Sequence, residues 1–148
     1  MAYYGTVDEA DDYFEERLNS TAWHNSSQKE IALKQSTRLI DRLNFVGCKA
    51  SDTQELQFPR GIDTEVPLDV KYACYEVAIT ILSEDYDFDA MLNDARVVKR
   101  RFDVVETEYD RKSSVPDHLL VGIPSALAWS YLLPYLRDPR TINLSRVS

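Results

Sequence analysis

Val70-Lys71-Tyr72-Ala73-Cys74-Tyr75-Glu76-Val77-Ala78-Ile79-Thr80-Ile81-Leu82 is the stretch that decides the fold. Val70, Ala73, Cys74, Val77, Ala78, Ile81 and Leu82 recur at intervals dominated by three and four, the signature of a buried helical face. Ala73 and Ala78 let a neighbouring helix approach closely. Pro67 suits the first turn, where a missing N–H costs nothing. A helix this apolar needs other helices around it, and the flanking sequence provides them.

Upstream, Thr6-Val7-Asp8-Glu9 reads as a capping box, with Thr6 as N-cap and Glu9 reaching back. Acids crowd the turn that follows, where the helix dipole favours them. Ala10, Tyr13, Phe14 and Leu18 form the apolar face of a helix over about 7–18, and Trp23 packs the join after it. A second capping box, Ser27-Gln28-Lys29-Glu30, opens a helix over about 27–44 with Ile31, Leu33, Leu39, Ile40 and Leu43 on its stripe. Between that helix and Pro67 runs a long irregular stretch containing Gln57-Phe58-Pro59-Arg60-Gly61. Some twenty residues of loop are uncommon between packed helices unless the loop is used. Phe58 can anchor it on its own helices or on another chain, and Arg60 can pair with carboxylates at an edge.

Downstream, the acidic stretch 84–94 has room for a short helical turn. In 97–109, Val98, Phe102, Val105 and Tyr109 fit a helix, but the density of Val, Phe, Thr and Tyr reads as an extended segment or hairpin. Residues 110–122 read as loop. Ile123-Pro124-Ser125 opens a last helix carrying Leu127, Tyr131, Leu132 and Tyr135, which Pro134 should kink or end. After Leu136 the chain shows no core pattern. The expectation is a mainly α protein: a small bundle of about four helices, one extended segment or short hairpin, and an extended C-terminal tail. The divisions are a helical domain over 1–136 and a tail over 137–148.

The 148 residues suit one domain, and 44% hydrophobic content supports a core. No apolar run approaches the roughly 20 residues a membrane helix needs. Met1-Ala2-Tyr3-Tyr4 lacks the basic and apolar regions of a signal peptide, and Cys48 and Cys74 form no C-x-x-C, which suits synthesis in a reducing cytoplasm. Twenty-five acids against 17 bases give a net charge of −8, which opposes general binding to nucleic acid.

Candidate chemistry resolves mostly into structure. An EF-hand loop starting at Asp85 would place Asp87 and Asp89 correctly, but Ala90 and Arg96 stand where glycine and a bidentate glutamate are required. His24 and His118 have no partner at a metal-ligand spacing. Ser26-Ser27-Gln28-Lys29 contains S-x-x-K, yet it overlaps a capping box and its companion motifs are missing. No catalytic residue, metal or cofactor is expected, and an enzyme is not. Arg96, Lys99, Arg100 and Arg101 form the one dense basic cluster, with Phe102 beside it able to stack a base. The alternative is a solvated face, or a patch meeting an acidic neighbour.

The order of motifs carries a resemblance. Tyr4-x-Thr6-x-x-Glu9-Ala10-x-x-Tyr13-Phe14-x-x-Arg17-Leu18 precedes Trp23, then Lys29-x-x-Ala32-Leu33-x-x-x-Thr37-x-x-Ile40-Asp41, the Gln57-Phe58-Pro59-Arg60 loop, and Pro67-x-x-Val70-Lys71-x-Ala73-Cys74-x-Glu76-x-Ala78. This resembles the head–tail connector (adaptor, head-completion) proteins of tailed phages over residues 3–110. It is also similar to phage and prophage proteins labelled DnaT-like single-stranded-DNA-binding. The connector resemblance implies a structural virion protein, a homo-oligomeric ring (commonly a dodecamer) between portal protein and tail or nozzle protein. Such a ring passes double-stranded DNA without reading it and sits at the head–tail interface of the virion. It implies a portal-docking tail with Arg137, Arg140, Ile142, Leu144 and Arg146, and contacts between subunits through Phe58, Arg60, Val98, Arg100, Phe102 and Val104. The DnaT-like resemblance implies instead a replication accessory that binds single strands.

Overall fold

A computed structural model describes residues 1–105, with 97–105 as helix backbone, and residues 115–142. Seven α-helices and no strand occur among the described residues: α1 Val7–Glu15, α2 Thr21–His24, α3 Lys29–Asp41, α4 Leu68–Leu82, α5 Phe88–Val105, α6 Asp117–Leu120 and α7 Ala126–Leu132, with a 3-10 turn at Leu133–Tyr135. The protein is a small, mainly helical bundle.

α4 is its axis. It packs chiefly against α3 on one side and α7 on another, and α2 also touches it. Val70, Ala73, Cys74, Tyr75, Glu76, Val77, Ala78 and Ile79 are all buried. Ala73 and Ala78 are fully buried, as expected of small residues where helices meet closely. The Cys74 thiol lies between Thr37 Oγ1 and the Leu33 carbonyl, each at 3.6 Å, and burial pushes its pKa up to about 12. The α3 hydroxyls Ser36 and Thr37 are buried by donating back to Ala32 and Leu33 carbonyls, at 2.7 and 2.9 Å. Thr37 Oγ1 also accepts from Tyr4 N at 3.1 Å, which ties the N-terminal segment to the bundle.

Helix ends follow local chemistry, with departures from expectation. Thr6 Oγ1 accepts from Glu9 N at 3.1 Å, as predicted, but the Glu9 carboxylate turns to Lys71 and Tyr75. α1 stops at Glu15, so Leu18 lies outside it and is exposed. The predicted Ser27 cap does not form. Ser26 Oγ accepts from Gln28 N, and α3 starts at Lys29, whose amine bonds Asp11 at 3.0 Å. Ile31, expected on the apolar stripe, is exposed. At α7, Ser125 Oγ accepts from Ala128 N, and the helix tightens into the 3-10 turn that contains Pro134.

Two larger corrections concern the second half. Residues 97–105 are not extended; they continue α5, so Val98, Arg100, Phe102 and Val104 stand on a helix. Helical spacing prevails there over the modest cost of β-branched residues. Residues 106–109 lie outside the described residues. In the stretch read as loop, α6 forms behind Pro116, and His118 Nδ1 meets the Ile123 carbonyl at 2.8 Å.

Candidate nucleic-acid interface

The long loop is latched to its own bundle. Phe58 is 3% exposed, with Phe45, Tyr135 and Tyr4 rings around it at 4.7, 5.8 and 6.2 Å. Ala50 N donates to the Pro59 carbonyl at 3.0 Å and Gly61 N to the Cys48 carbonyl at 2.9 Å. Arg60 donates to the carbonyls of Val46, Gly47 and Gln57 and to Gln57 Oε1. Of the two anchorings the sequence left open for Phe58, the one on its own helices is present, and Arg60 bonds carbonyls within its own loop. The phenyl ring is spent on its own core, and the guanidinium satisfies backbone carbonyls that the tight loop would otherwise leave unpaired.

Beneath the latch lies Asp41. Tyr4 Oη donates to its Oδ1, and Gln57 N approaches Oδ2 at 3.4 Å. Burial raises the Asp41 carboxyl to about 6, although Tyr4, Gln57, Lys49 and Arg60 all favour the charged form. A raised acid pKa binds its proton more tightly in the folded state. The resulting stability is present below the unfolded value of about 4 and is lost as pH rises through about 6, with an upper bound of ~3 kcal/mol. Urea unfolding across that window should therefore show a falling contribution that Asp41→Asn removes. Parallel pH profiles for the two proteins would refute it.

A groove of about 330 Å³ between α1 and α4 is lined by Glu9, Asp12, Tyr13, Glu16, Leu68, Lys71, Tyr72 and Tyr75. Tyr13 and Tyr72 stack at 4.9 Å. Aromatic faces suit bases, but three carboxylates line the groove, and Lys71 is already paired with Glu9 at 3.3 Å. Phosphates would be repelled there. Behind the groove, Glu76 is buried and held by Arg17 Nη2 at 2.8 Å, Arg17 Nε at 3.0 Å and Tyr13 Oη at 2.7 Å. Sequence reasoning missed this pair. Its signal is one carboxylate inside the apolar run of α4.

The basic cluster falls on α5. Arg96, Lys99 and Arg100 are spaced i, i+3, i+4, so the helix places them on one face, with Arg101 beside it. Arg96 is exposed. Asp87 starts this helix, its Oδ1 accepting from Ala90 N at 3.1 Å, so one acid of the apparent calcium loop serves as a cap. Among the described residues no group of three or more His, Cys, Asp or Glu could hold a metal ion, and no helix is long and apolar enough to cross a membrane.

The C-terminal stretch begins by returning to the bundle. Arg137 N donates to the Asn44 carbonyl at 2.8 Å, Arg140 Nε meets Asp117 Oδ1 at 3.1 Å, and Ile142 bridges Leu43 and packs against the core. Ile142 thus has a core role that its sequence context does not show. Leu144 and Arg146 lie outside the described residues.

No curated protein and no solved structure matches the chain. A family model described as "Putative DnaT-like ssDNA binding protein" matches residues 3–136. That match overturns the connector reading: the ring between portal and tail, its nozzle partner and the passage of double-stranded DNA have no support in it, while the DnaT-like half of the resemblance does. The connector reading rested on the order and spacing of motifs, none of them specific alone, and the same motifs carried the DnaT-like resemblance. With residues 3–136 of its 148 covered, the chain belongs to the DnaT-like ssDNA binding protein family.

Proposed function

We propose that the protein binds single-stranded DNA and that the basic face of α5 makes the principal contact. The observation that carries this reading is the helical placement of Arg96, Lys99 and Arg100 on one face in a chain of net charge −8. An acidic chain can hold a phosphate backbone only where its cations are concentrated. The family description supports the choice of a single strand. The acidic tyrosine groove is the wrong sign for the task, and the latched loop has already used Arg60. Phe102 adds an aromatic residue to the same stretch of sequence.

Counterion release sets the scale. Each phosphate neutralised on a single strand adds about 0.7 to the salt slope, so four cations give a slope of roughly −3. Each contact is then worth about fivefold in affinity near 0.1 M salt. Fluorescence anisotropy of a labelled oligothymidylate should show that dependence. Replacing Arg96, Lys99 and Arg100 together with serine should weaken binding roughly 100-fold and leave a slope of about −0.7. Circular dichroism should show an unchanged bundle. Unaltered affinity in the triple variant, or equal affinity for duplex, would sink the reading.

A further inference from the structure

The groove between α1 and α4 has an order that folding does not account for. Glu9, Asp12, Tyr13 and Glu16 line one wall at i, i+3, i+4 and i+7, and the α4 residues from Leu68 to Tyr75 line the other at the same intervals. Each wall is therefore one helical stripe. Tyr13 and Tyr72 stack across it at 4.9 Å, and Glu76 holds the Tyr13 hydroxyl at 2.7 Å. Two of the chain's own cations are already committed around it. Lys71 meets Glu9 at 3.3 Å, and Arg17, next to Glu16 in sequence, turns inward to Glu76 at 2.8 Å.

Asp12 and Glu16 are left over. Both are exposed, and neither carboxylate meets a cation or a hydrogen-bond donor among the described residues. They stand four apart, a spacing at which like charges on a helix repel. Glu16 also caps the C-terminal end of α1, where the helix dipole disfavours an acid, and the last turn holds no basic residue to offset it. Both acids thus work against the helix that carries them. Local choices that oppose the fold concentrate at functional sites. A cation supplied from outside would relieve both conflicts at once.

The surroundings select the kind of cation. A guanidinium is planar, can bridge two carboxylates and stacks on an aromatic face, whereas an ammonium is a point charge. The Tyr13–Tyr72 pair provides such a face beside the two acids. The volume of about 330 Å³ lies at the small end of ligand sites and suits a long side chain rather than a whole helix. Leu68, one turn from Tyr72 on α4, is 62% exposed and offers apolar contact to a residue next to that side chain.

We propose that this groove docks an arginine from a basic segment of a partner protein, with its guanidinium between Asp12 and Glu16. The net charge of −8 steers such a segment toward the chain. The site is separate from the basic stretch of α5 and stands without it. Fluorescence anisotropy of a labelled oligoarginine peptide with the full chain, at physiological ionic strength and without DNA, tests it. Saturable binding is expected, with oligolysine of equal length weaker. Asp12→Asn combined with Glu16→Gln should weaken oligoarginine binding roughly tenfold. That variant should melt no lower than the parent chain, since a repulsion is removed. Asp52→Asn combined with Asp85→Asn removes the same charge from exposed positions outside the groove and should leave binding nearly unchanged. Equal losses in the two double variants, equal affinity for oligolysine, or no binding of oligoarginine would each overturn the proposal.

Discussion

Arg17→Met should lower folding stability by about 3 to 5 kcal/mol, because it leaves a buried carboxylate without its counter-ion. Glu76 is 1% exposed in the middle of α4. Its two oxygens are held by the Arg17 fork at 2.8 and 3.0 Å, and the second also accepts from Tyr13. Arg17 does more than neutralise it: its remaining amine donates to the carbonyls of Leu18 and Asn19 and closes the turn beyond α1. The Arg17 side chain is 29% exposed, so water relieves part of the cost and the lower end of the range is expected. Urea unfolding measures the loss. Pairing the change with Glu76→Gln should recover much of it, since an amide needs no cation. A loss below about 1 kcal/mol for Arg17→Met would show that the pair behaves like a surface bridge.

Phe58→Ala should cost a similar ~3 to 5 kcal/mol, by the cavity it opens among Tyr4, Phe45 and Tyr135. The location of the damage is the sharper test. Ala50 and Gly61 donate across the loop to Pro59 and Cys48, and those amides should exchange faster with solvent once the anchor is gone. Amides in the middle of α3 and α4 should keep their order of protection. If the loop amides were unaffected, Phe58 would be filler in the core and the latch would lie elsewhere. The single-stranded DNA binding proposed for α5 should survive the change.

Much of the fold was legible because it is local. The three-and-four spacing from Val70 to Leu82 marks the buried axis, and Thr6 and Ser125 cap their helices as their sequence context predicts. What escaped reading depends on partners far along the chain. Glu76 meets Arg17 across 59 positions, and nothing near either residue names the other. The anchoring of Phe58 needs Tyr4 and Tyr135, which no local rule connects. Ile142 packs on a core that its neighbours in sequence give no hint of. At 97–105 the error was of another kind. Residue preferences there favour extended structure, but the periodicity is helical and the helix already running from Phe88 carries the segment with it. The basic stretch was visible at once as charge, but its value as a site depends on helical geometry that collects three cations on one face.

The latch around Phe58 also imposes an order on synthesis. α1, α3 and α4 can associate once the chain has grown through Leu82. The loop between α3 and α4 can be only partly closed so early, by its own Ala50–Pro59 and Gly61–Cys48 bonds and by the Tyr4 and Phe45 rings. Its ring waits for Tyr135, and the segment that leads into it is bridged at Leu43 and Phe45 by Ile142 and Leu136. Asn44 meets Thr141 across 97 positions. Closing contacts so far apart carries a chain-entropy cost that local helices do not face. On the ribosome, therefore, the faces of Phe58 and Phe45 that Tyr135 and Leu136 later cover stay open after the helices have formed, and for that interval the nascent chain presents part of an aromatic patch that the finished protein hides.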